Sequence, residues 1–471
     1  MESDIEQTHI SSTYFDKKQF QKQLAIITQA SELAQRKIDY ASAHDDHILR
    51  AIEVVEDFLR KKHRLCYGGQ AINAHLPAAY KFYDPEYSIP DYDFFTPSPD
   101  ADITLIIKDL KKAGFTDIAA REGMHEGTMK IYVEFIPVAD ITEIDPKLYR
   151  ILSKREFRSD GISYLDVNSL RMLMYLELSR PRGEVRRWEK VFERLMLLNE
   201  FSPIKKCIAK KYLFKNGLTK EQVDITLDFI IKQKRVFAGA DLASYYQSTR
   251  NHSEWILTSR KPILFYSSTP KEDAEHLRVE LKKTSSDHKP FTVKTYSSKG
   301  IDMIPTIHII CHGKKTLVFI INESQCHSYI NMLMDNNTVM RIASMDTLIT
   351  LYFSLGLIKS SFFDMGAMEC LANQLVHINI NARNKHESVH FPFISIKCSG
   401  RQTSLPSLIR AKVQRITQKK EKLRMLINPI HASQATQAKQ SKQSKQARHA
   451  RQTYKRHASK KSSYGIANTI K

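Results

Sequence analysis

The sequence has few of the residues that stabilise small secreted domains or bind zinc. Its 471 residues include six cysteines, which are Cys66, Cys207, Cys311, Cys326, Cys370 and Cys398. None of them forms a C-x-x-C pair, and none lies near histidines at the spacing of zinc ligands. We therefore expect reduced thiols, most of them packed in the interior of an intracellular protein.

Long apolar stretches are also absent. The nearest candidate, TLITLYFSLGLIKSSFF, contains Lys359 and lacks the roughly 18 uncharged apolar residues that a membrane helix requires. The first residues, MESDIEQTHISSTYF, lack the apolar core of a signal peptide. The sequence therefore predicts neither secretion nor membrane association.

Positive charge is abundant, and most of it lies near the carboxyl end. The net charge is +21, and residues 410–471 hold 17 lysines and arginines against one acid, Glu421. In KQSKQSKQARHAR a cation recurs at every third position without large apolar residues, which predicts disorder. Such a polycation typically binds nucleic acid, because neutralised phosphates release counterions. The alternative is a solvated tail that only aids solubility.

The chain is longer than one ordinary domain, and its 42% hydrophobic content suffices for more than one core. Apolar residues recur at three- and four-residue steps from Ile48 to Leu59, which is typical of a helix. Strand and helix patterns then alternate, so we predict an α/β (α+β) protein. The predicted regions are an N-terminal helical region (1–63), a first α/β domain (64–200), a second α/β domain (201–409), a basic helix (410–428) and a disordered basic tail (429–471).

The two α/β regions contain similar segments. In the first, YLDVNSLRMLMYLEL follows a strand, and in the second, ASMDTLITLYFSL follows the strand KTLVFIIN. The strands KPILFYSS and TIHIICHG are also predicted in the second region. This similarity indicates a degenerate duplicate, and because it lacks a glycine pair and a D-x-D we expect that duplicate to be inactive. Chance similarity is the alternative.

Two aspartates, Asp91 and Asp93, lie two positions apart in IPDYDFFTPS, a pattern typical of a strand. Alternate strand residues project to the same face, so the two carboxylates lie side by side and repel each other. This repulsion raises one pKa unless a cation neutralises the pair. The pair is therefore either solvated at a sheet edge or part of a divalent metal site.

A glycine pair and a third acid accompany the aspartates. Gly68 and Gly69 end the apolar run HRLCYGG and begin a helix, where backbone N–H groups can approach a phosphate. The segment GTMKIYVEFIPVADIT predicts a strand with two candidate acids, Glu134 and Asp140. Three carboxylates beside a phosphate-binding turn are what two-metal phosphoryl transfer requires.

These segments resemble a known family. LCYGGQAIN, PDYDFFTP and FIPVADIT are similar to the signature of the polymerase-beta nucleotidyltransferase superfamily, although compact members have a shorter spacing between the glycines and the aspartates. YLELSRPRGEVRRWEKVFERLMLLN closely resembles a block of the poly(A) polymerase catalytic subunits of large cytoplasmic DNA viruses, of the poxvirus, asfarvirus and mimivirus kind. The matching motifs cover residues 65–200 and imply that residues 64–200 form a nucleotidyltransferase catalytic domain.

The resemblance implies roles for the matching residues. The glycine pair would contact the incoming triphosphate, and Asp91, Asp93 and a third acid would bind Mg²⁺ or Mn²⁺. Asp140 is chosen as the third acid because FIPVADI as a whole is similar to the block that carries it in the family. Glu134 stays as the alternative.

Three further residues are candidate contacts of ATP. Asn73 lies one turn into the helix after the glycines, and a helix-surface or capping role is its alternative. Ser169 and Arg171 lie on the apolar helix, where a buried Arg–Glu pair is the alternative. The arginines of SRPRGEVRRWEK adjoin Trp188, so we predict a helix junction packed on the core there rather than an RNA site.

The function implied by the resemblance is template-independent addition of AMP from ATP to RNA 3′ ends, with release of pyrophosphate. Uridylyl or CCA addition is the alternative among enzymes, and a non-catalytic RNA-binding scaffold is the alternative outside them. Expected partners are RNA, bound by the basic tail and the helix before it, and either a second copy of the chain or a processivity subunit. The resemblance implies a location in the host cytoplasm, at the viral factory, or packaging in the virion.

Overall fold

In the computed structural model, the described residues are 17–205, 207, 217–247, 259, 261–297, 303–334, 338–384 and 394–427. They fall into two compact units, residues 1–404 and residues 405–471. The predicted disordered tail lies outside the described residues. In the second unit they form one helix, α13 (Leu405–Ile427), which begins earlier than the predicted basic helix.

The first unit contains the other helices and all the strands of the described residues. The helices are α1 (Lys17–Ala43), α2 (Asp46–Lys62), α3 (Gly68–Ala74), α4 (Pro99–Lys112), α5 (Pro146–Ser153), α6 (Val167–Leu178), α7 (Trp188–Phe201), α8 (Lys220–Lys232), α9 (Leu242–Gln247), α10 (Pro270–Lys282), α11 (Met345–Leu355) and α12 (Met365–Asn384). The strands are β1 (Leu65–Tyr67), β2 (Tyr92–Thr96), β3 (Ile118–Glu122), β4 (Thr128–Val133), β5 (Ile136–Glu143), β6 (Phe157–Ser159), β7 (Ile162–Tyr164), β8 (Val236–Phe237), β9 (Ile263–Ser267), β10 (Phe291–Tyr296), β11 (Ile307–His312), β12 (Lys315–Asn322), β13 (His327–Leu333), β14 (Val339–Ala343) and β15 (Cys398–Ser399).

The first sheet has the strand order β3-β4-β5-β2-β1-β7-β6. Strand β2 runs antiparallel to β1 and parallel to β5. Asp93 consequently lies opposite Tyr67 on one neighbouring strand and opposite Asp140 on the other. The sheet thus brings together segments that are far apart in the sequence.

The second sheet repeats this arrangement. Its order is β10-β11-β12-β9-β8-β14-β13-β15. The first seven strands correspond one to one, in sequence order and in direction, with the seven strands of the first sheet. The predicted α/β fold is confirmed, and so, at the level of topology, is the predicted duplication.

A buried corner of polar side chains recurs in both sheets. After β2, Thr96 donates its hydroxyl to the buried carboxylate of Asp102, and Ser98 N donates to Thr96 Oγ1 at 3.0 Å. Arg64, just before β1, completes the corner with Nε and Nη2 at 2.8 and 2.9 Å from the Asp102 carboxylate oxygens. This bidentate pair joins the β1 strand to the helix that follows β2.

The second sheet builds the same corner from Ser267, Thr269, Asp273 and Arg235. Ser267 donates to Asp273 Oδ2 at 2.6 Å, and Thr269 N donates to Ser267 Oγ at 2.9 Å. Arg235 Nε and Nη2 lie 2.7 and 2.9 Å from the Asp273 carboxylate oxygens. The pattern is T/S-x-S/T-P-x-x-D in both halves.

Helices α6 and α11 occupy equivalent positions, because each follows the last of the seven strands that the two sheets share. Asp166 caps the first and Ser344 caps the second. Both are rich in buried residues, and Ser354 of α11 lies 3.5 Å from the sulfur of Met172 on α6. The two sheets therefore share one continuous apolar core.

The prediction of six reduced cysteines is wrong for one pair. Cys207 and Cys370 form a disulfide across 163 residues of sequence. No local spacing could reveal a pair so far apart. Cys66, Cys311 and Cys326 are buried free thiols, as expected. Within the described ranges, no helix is both long and apolar enough to span a membrane.

Candidate active site

The candidate site lies where β1, β2 and β5 bring three aspartates together. Asp93 projects from β2, and Asp91 immediately precedes that strand. Asp140 lies opposite Asp93 on β5. Between the first two aspartates, Tyr92 points to the other face, where it is buried and donates to Glu56 Oε1 at 2.6 Å. The predicted alternation along β2 is therefore confirmed.

The carboxylates strongly disfavour being charged together. Burial raises the pKa of Asp93 to about 7, and the charges of Asp91 and Asp140 add to the rise. Asp91 is exposed at the rim, but partial loss of hydration and then the charge of Asp140 raise its pKa as well. Two cations, Lys130 and Arg187, oppose the increase at Asp93. The cluster thus has more negative charge than its surroundings neutralise.

Lys130, from β4, contacts the third carboxylate directly. Its Nζ forms an ion pair with Asp140 Oδ2, while the buried Asp140 Oδ1 has no hydrogen-bond partner among the described residues. An unsatisfied carboxylate oxygen beside two mutually repelling carboxylates fits a hard divalent cation such as Mg²⁺ or Mn²⁺. The described residues contain no three His, Cys, Asp or Glu side chains already arranged around one metal position.

Glycines are required at positions 68 and 69 because neighbouring side chains approach the backbone closely there. Gly68 has φ +73°, and a Cβ there would lie 2.5 Å from Asp93 Oδ2. A Cβ at Gly69 would lie 2.2 Å from the hydroxyl oxygen of Tyr83. Any side chain at either position would therefore displace a carboxylate or a tyrosine at the site.

Asn73 holds the segment that carries Tyr83. Its side chain is buried, and Oδ1 accepts hydrogen bonds from Phe82 N at 2.9 Å and Tyr83 N at 3.4 Å. The structure therefore places the Asn73 oxygen next to the glycine turn, in a role that positions the backbone.

Ser169 and Arg171 connect α6 to its surroundings. Ser169 donates to Asp166 Oδ2 at 2.6 Å, and Arg171 donates from Nε to Asn199 Oδ1 at 2.8 Å. Burial lowers the pKa of Arg171 to about 10. The alternative expected from the sequence is a buried Arg–Glu pair, but the observed partners are amide oxygens of Asn168 and Asn199 and backbone carbonyls. These bonds do not join either side chain to the three aspartates.

The arginine-rich junction before α7 is packed as predicted. Trp188 Nε1 donates to the carbonyl oxygen of Glu177 at 3.2 Å, and Arg187 Nε lies 3.1 Å from Glu177 Oε1. No motif in the sequence marks Arg187 or Lys130 as a residue near the aspartates. For Lys130 the one relevant pattern is the alternation of its strand, which places it on the same face as Tyr132.

Glu134 lies apart from the aspartates. The segment predicted as one strand is a hairpin, with β4 and β5 joined at Glu134 and Phe135, whose φ values are +50° and +69°. Glu134 Oε1 contacts His47 Nε2 at 2.9 Å, on α2. Of the two candidate third acids, only Asp140 therefore lies beside Asp93.

The fold and the site together define a class of protein. A glycine turn, two aspartates on the next strand and a third on its parallel neighbour reproduce the arrangement expected for the polymerase-beta nucleotidyltransferase superfamily. Within that class, residues 53–184 match the family model described as "Poly(A) polymerase catalytic subunit". The predicted resemblance is confirmed for this part of the chain.

Curated viral proteins show the same similarity. The chain is 34% identical over 161 residues to a putative poly(A) polymerase catalytic subunit of Acanthamoeba polyphaga mimivirus, covering 33% of this chain and 27% of that protein. It is 24% identical over 269 residues to a protein of the same description from African swine fever virus (isolate Tick/South Africa/Pretoriuskop Pr4/1996), covering 55% and 54%. The matches thus span from about a quarter to about half of these relatives.

A solved structure is similar over most of the chain. The crystal structure of the Megavirus polyadenylate synthase aligns with a TM-score of 0.71 and 19% sequence identity. The alignment covers 87% of this chain and 84% of that one. The shared fold therefore extends well beyond the region that the family model matches.

Proposed function

We propose that the protein is a template-independent poly(A) polymerase that transfers AMP from ATP to the 3′-OH of RNA and releases pyrophosphate. The observation that supports this most is the pairing of Asp93 with Asp140 beside the glycine turn, with one Asp140 oxygen unsatisfied. The similarity to viral poly(A) polymerase catalytic subunits supports the choice of ATP and RNA.

In the reaction, the 3′-hydroxyl loses its proton to solvent and its oxygen forms a bond to the α-phosphorus of ATP. The bond from that phosphorus to the bridging oxygen breaks, and pyrophosphate leaves with the electron pair. Asp91, Asp93 and Asp140 would hold the divalent metal, which when bound neutralises charge on the triphosphate and favours the ionised 3′-hydroxyl. No covalent intermediate with the enzyme is required.

The protein's own groups set up this geometry. The absence of side chains at Gly68 and Gly69 lets the triphosphate approach the backbone at the end of β1. Asn73 accepts a hydrogen bond from the backbone N–H of Tyr83 and so keeps that tyrosine against Gly69, at one side of the glycine turn. Lys130 neutralises part of the carboxylate charge before the metal binds.

The decisive test is extension of a labelled oligo(A) primer by the purified protein with each of the four nucleoside triphosphates, in Mg²⁺ or Mn²⁺. We expect a ladder with ATP alone, absent in the Asp91→Ala/Asp93→Ala double variant. Asp224→Ala, an exposed change on α8, is the matched control and should extend normally. Extension with another nucleotide would favour uridylyl or CCA addition.

A non-catalytic scaffold gives a different result. It would bind RNA without metal, extend no primer, and be indifferent to the double variant. The cluster argues against it, because mutually repelling carboxylates that are partly removed from water are costly unless they have a use. An absent partner subunit would also prevent extension, and adding a processivity factor from a related virus would reveal that case.

The basic tail is proposed to hold RNA. Removal of residues 430–471 should weaken binding of oligo(A) and flatten its salt dependence, because fewer counterions are released. An unchanged salt slope would contradict this role. The homodimer or processivity subunit, and the location in the host cytoplasm or virion, stay predictions of the resemblance.

A further inference from the structure

Three cations form a row along one face of α7 and the turn that precedes it. Arg187, Lys190 and Arg194 follow each other at steps of three and four residues, which places them on one side of the helix. The row is about 10 Å long, from the helical rise over seven residues. We call these three residues the basic row.

The basic row reaches the candidate site at the Arg194 end. Arg194 Nη2 donates to the hydroxyl of Tyr83 at 3.1 Å, and that hydroxyl is the group that a Cβ at Gly69 would meet at 2.2 Å. The guanidinium of Arg194 also lies 4.3 Å from the ring centroid of Phe82. This end of the row therefore adjoins the glycine turn.

Part of this positive charge has no ion-pair partner in the described part of the chain. Arg187 contacts Glu177 and, at 3.6 Å, Glu184. Lys190 has no ion-pair partner in the described part of the chain, and its pKa is lowered by the charge of Arg194, by burial and by the charge of Arg187. The hydrogen bond from Arg194 goes to a neutral phenol. Crowded cations of this kind are stabilised by a bound anion.

We propose that the basic row binds the β- and γ-phosphates of the incoming nucleotide and then the pyrophosphate product. This inference rests on the proposed nucleotidyl transfer and names the part of the substrate that these residues hold. The stacked, hydrogen-bonded Arg194 presents a rigid fork of donors suited to phosphate oxygens, and Lys190 adds a mobile point charge. The junction that packs α7 on the core thus also carries a binding surface.

The position of the row favours a phosphate chain over RNA. Three cations within two helical turns, beside a glycine turn, match a compact polyanion. A single strand of RNA would require a longer groove with aromatic platforms for successive bases. Here the aromatic faces of Phe82 and Tyr83 are used to hold Arg194.

The first test measures inorganic tripolyphosphate binding to the full chain by calorimetry, without metal or RNA. Lys190→Gln and Arg194→Gln should each weaken binding by about tenfold or more, since each removes a charge-assisted contact. Arg186→Gln, an exposed neighbouring change, is the matched control and should alter binding by less than about twofold. Arg194→Lys keeps the charge but loses the fork, and should be intermediate.

The second test uses primer extension by the same variants. We expect the KM for ATP to rise about tenfold with little change in kcat, and the affinity for oligo(A) to stay unchanged. Lys190 is exposed, so Lys190→Gln keeps the test valid even if Arg194→Gln destabilises the fold. A fall in oligo(A) affinity with normal tripolyphosphate binding would overturn the proposal and assign the row to RNA.

Failure of this proposal is distinguishable from failure of the proposed function. If the wild-type protein extends the primer and the row variants match it in tripolyphosphate binding and in KM, the row has no such role and the polymerase stands. If the wild-type protein extends no primer, and the row variants bind tripolyphosphate more weakly than the wild type does, phosphate binding by the row is established and the polymerase activity is not.

Discussion

The two sheets of the first unit have the same topology and different chemistry. Their buried corners align Thr96 with Ser267, each at the end of its strand. Counting back from the corner places Leu264 at the position of Asp93 and Pro262 at the position of Asp91. Leu264 pairs with Phe319 as Asp93 pairs with Asp140. The second sheet thus has apolar residues at all three carboxylate positions.

The comparison separates what the fold needs from what the chemistry needs. Both sheets retain the Arg–Asp corner, the order of the seven shared strands and the capped helix after the last of these seven. Only the first retains charged groups in the middle of the sheet, where the second buries Leu264 and Phe319 completely or almost so. The inactivity of the duplicate stays a prediction, which these apolar residues support. We therefore expect the shared scaffold to be stable without the carboxylates.

The comparison is tested most strongly by exchanging residues between the sheets. Leu264→Asp should lower the free energy of unfolding by about 3–5 kcal/mol, because it buries an unpaired charge. The reverse change, Asp93→Leu, should abolish primer extension but leave the metal-free protein at least as stable. Urea unfolding in EDTA measures both effects. Equal destabilisation by the two changes would mean that Asp93 has a structural role that Leu264 shares.

The shared corner should contribute alike in both halves. Asp102→Asn and Asp273→Asn each leave an arginine without its carboxylate, and each should cost about 3 kcal/mol in urea unfolding. Thr96→Val and Ser267→Ala remove the hydroxyl that bonds both the aspartate and the backbone N–H two residues on, and should cost about 1–2 kcal/mol. If only one of the two aspartate substitutions lowers the free energy of unfolding, the corners are similar in geometry but do not contribute alike to stability.

Asp93 should make stability depend on pH in a way that has no counterpart at Leu264 in the second sheet. The folded pKa of Asp93, about 7, is above the ordinary value of about 4. Between these values the folded state binds more protons than the unfolded state, so the metal-free protein should lose stability as pH rises from 4 to 7. Asp93→Asn should remove that loss and be more stable than wild type at pH 8. Thermal unfolding in EDTA across this range measures the difference, and identical pH profiles would contradict it.

The smallest expected effect concerns Lys130. In the second sheet Ile309 occupies its position, opposite Phe319. Lys130→Met should raise the pKa of Asp93 further, because the lysine charge lowers it, and so shift the pH midpoint of the metal-free protein slightly upward. The variant should also bind Mg²⁺ more tightly, since Lys130 no longer competes for Asp140, with Lys130→Arg as control. Unchanged metal affinity in calorimetry would mean that the ion pair does not compete.

Local patterns in the sequence predicted the parts of the site that are near in sequence or carry a motif. The alternation around Tyr92 placed Asp91 and Asp93 on one face, whereas the choice of Asp140 over Glu134 came from the resemblance of FIPVADI to the family's block. The strands at 263–267, 307–312 and 315–322 were likewise predicted from their apolar residues.

What was missed depends on contacts across long separations or on unusual turn residues. Glu134 and Phe135 adopt left-handed conformations without the glycine or asparagine that normally marks a tight hairpin, so one strand was predicted where two exist. Lys130 and Arg187 join the site only because the sheet and α7 fold back on it. The Cys207–Cys370 disulfide likewise joins residues that are far apart in the sequence.

The packing of α6 against α11 also has a consequence for synthesis. The apolar face of α6 is complete once residue 178 has been made, but the helix that covers it ends at residue 355. At about 5–20 residues per second, translation takes roughly ten seconds or more to supply that partner. During this interval the first half has its sheet but an uncovered helix α6, so an apolar face stays exposed until the second half has been synthesised.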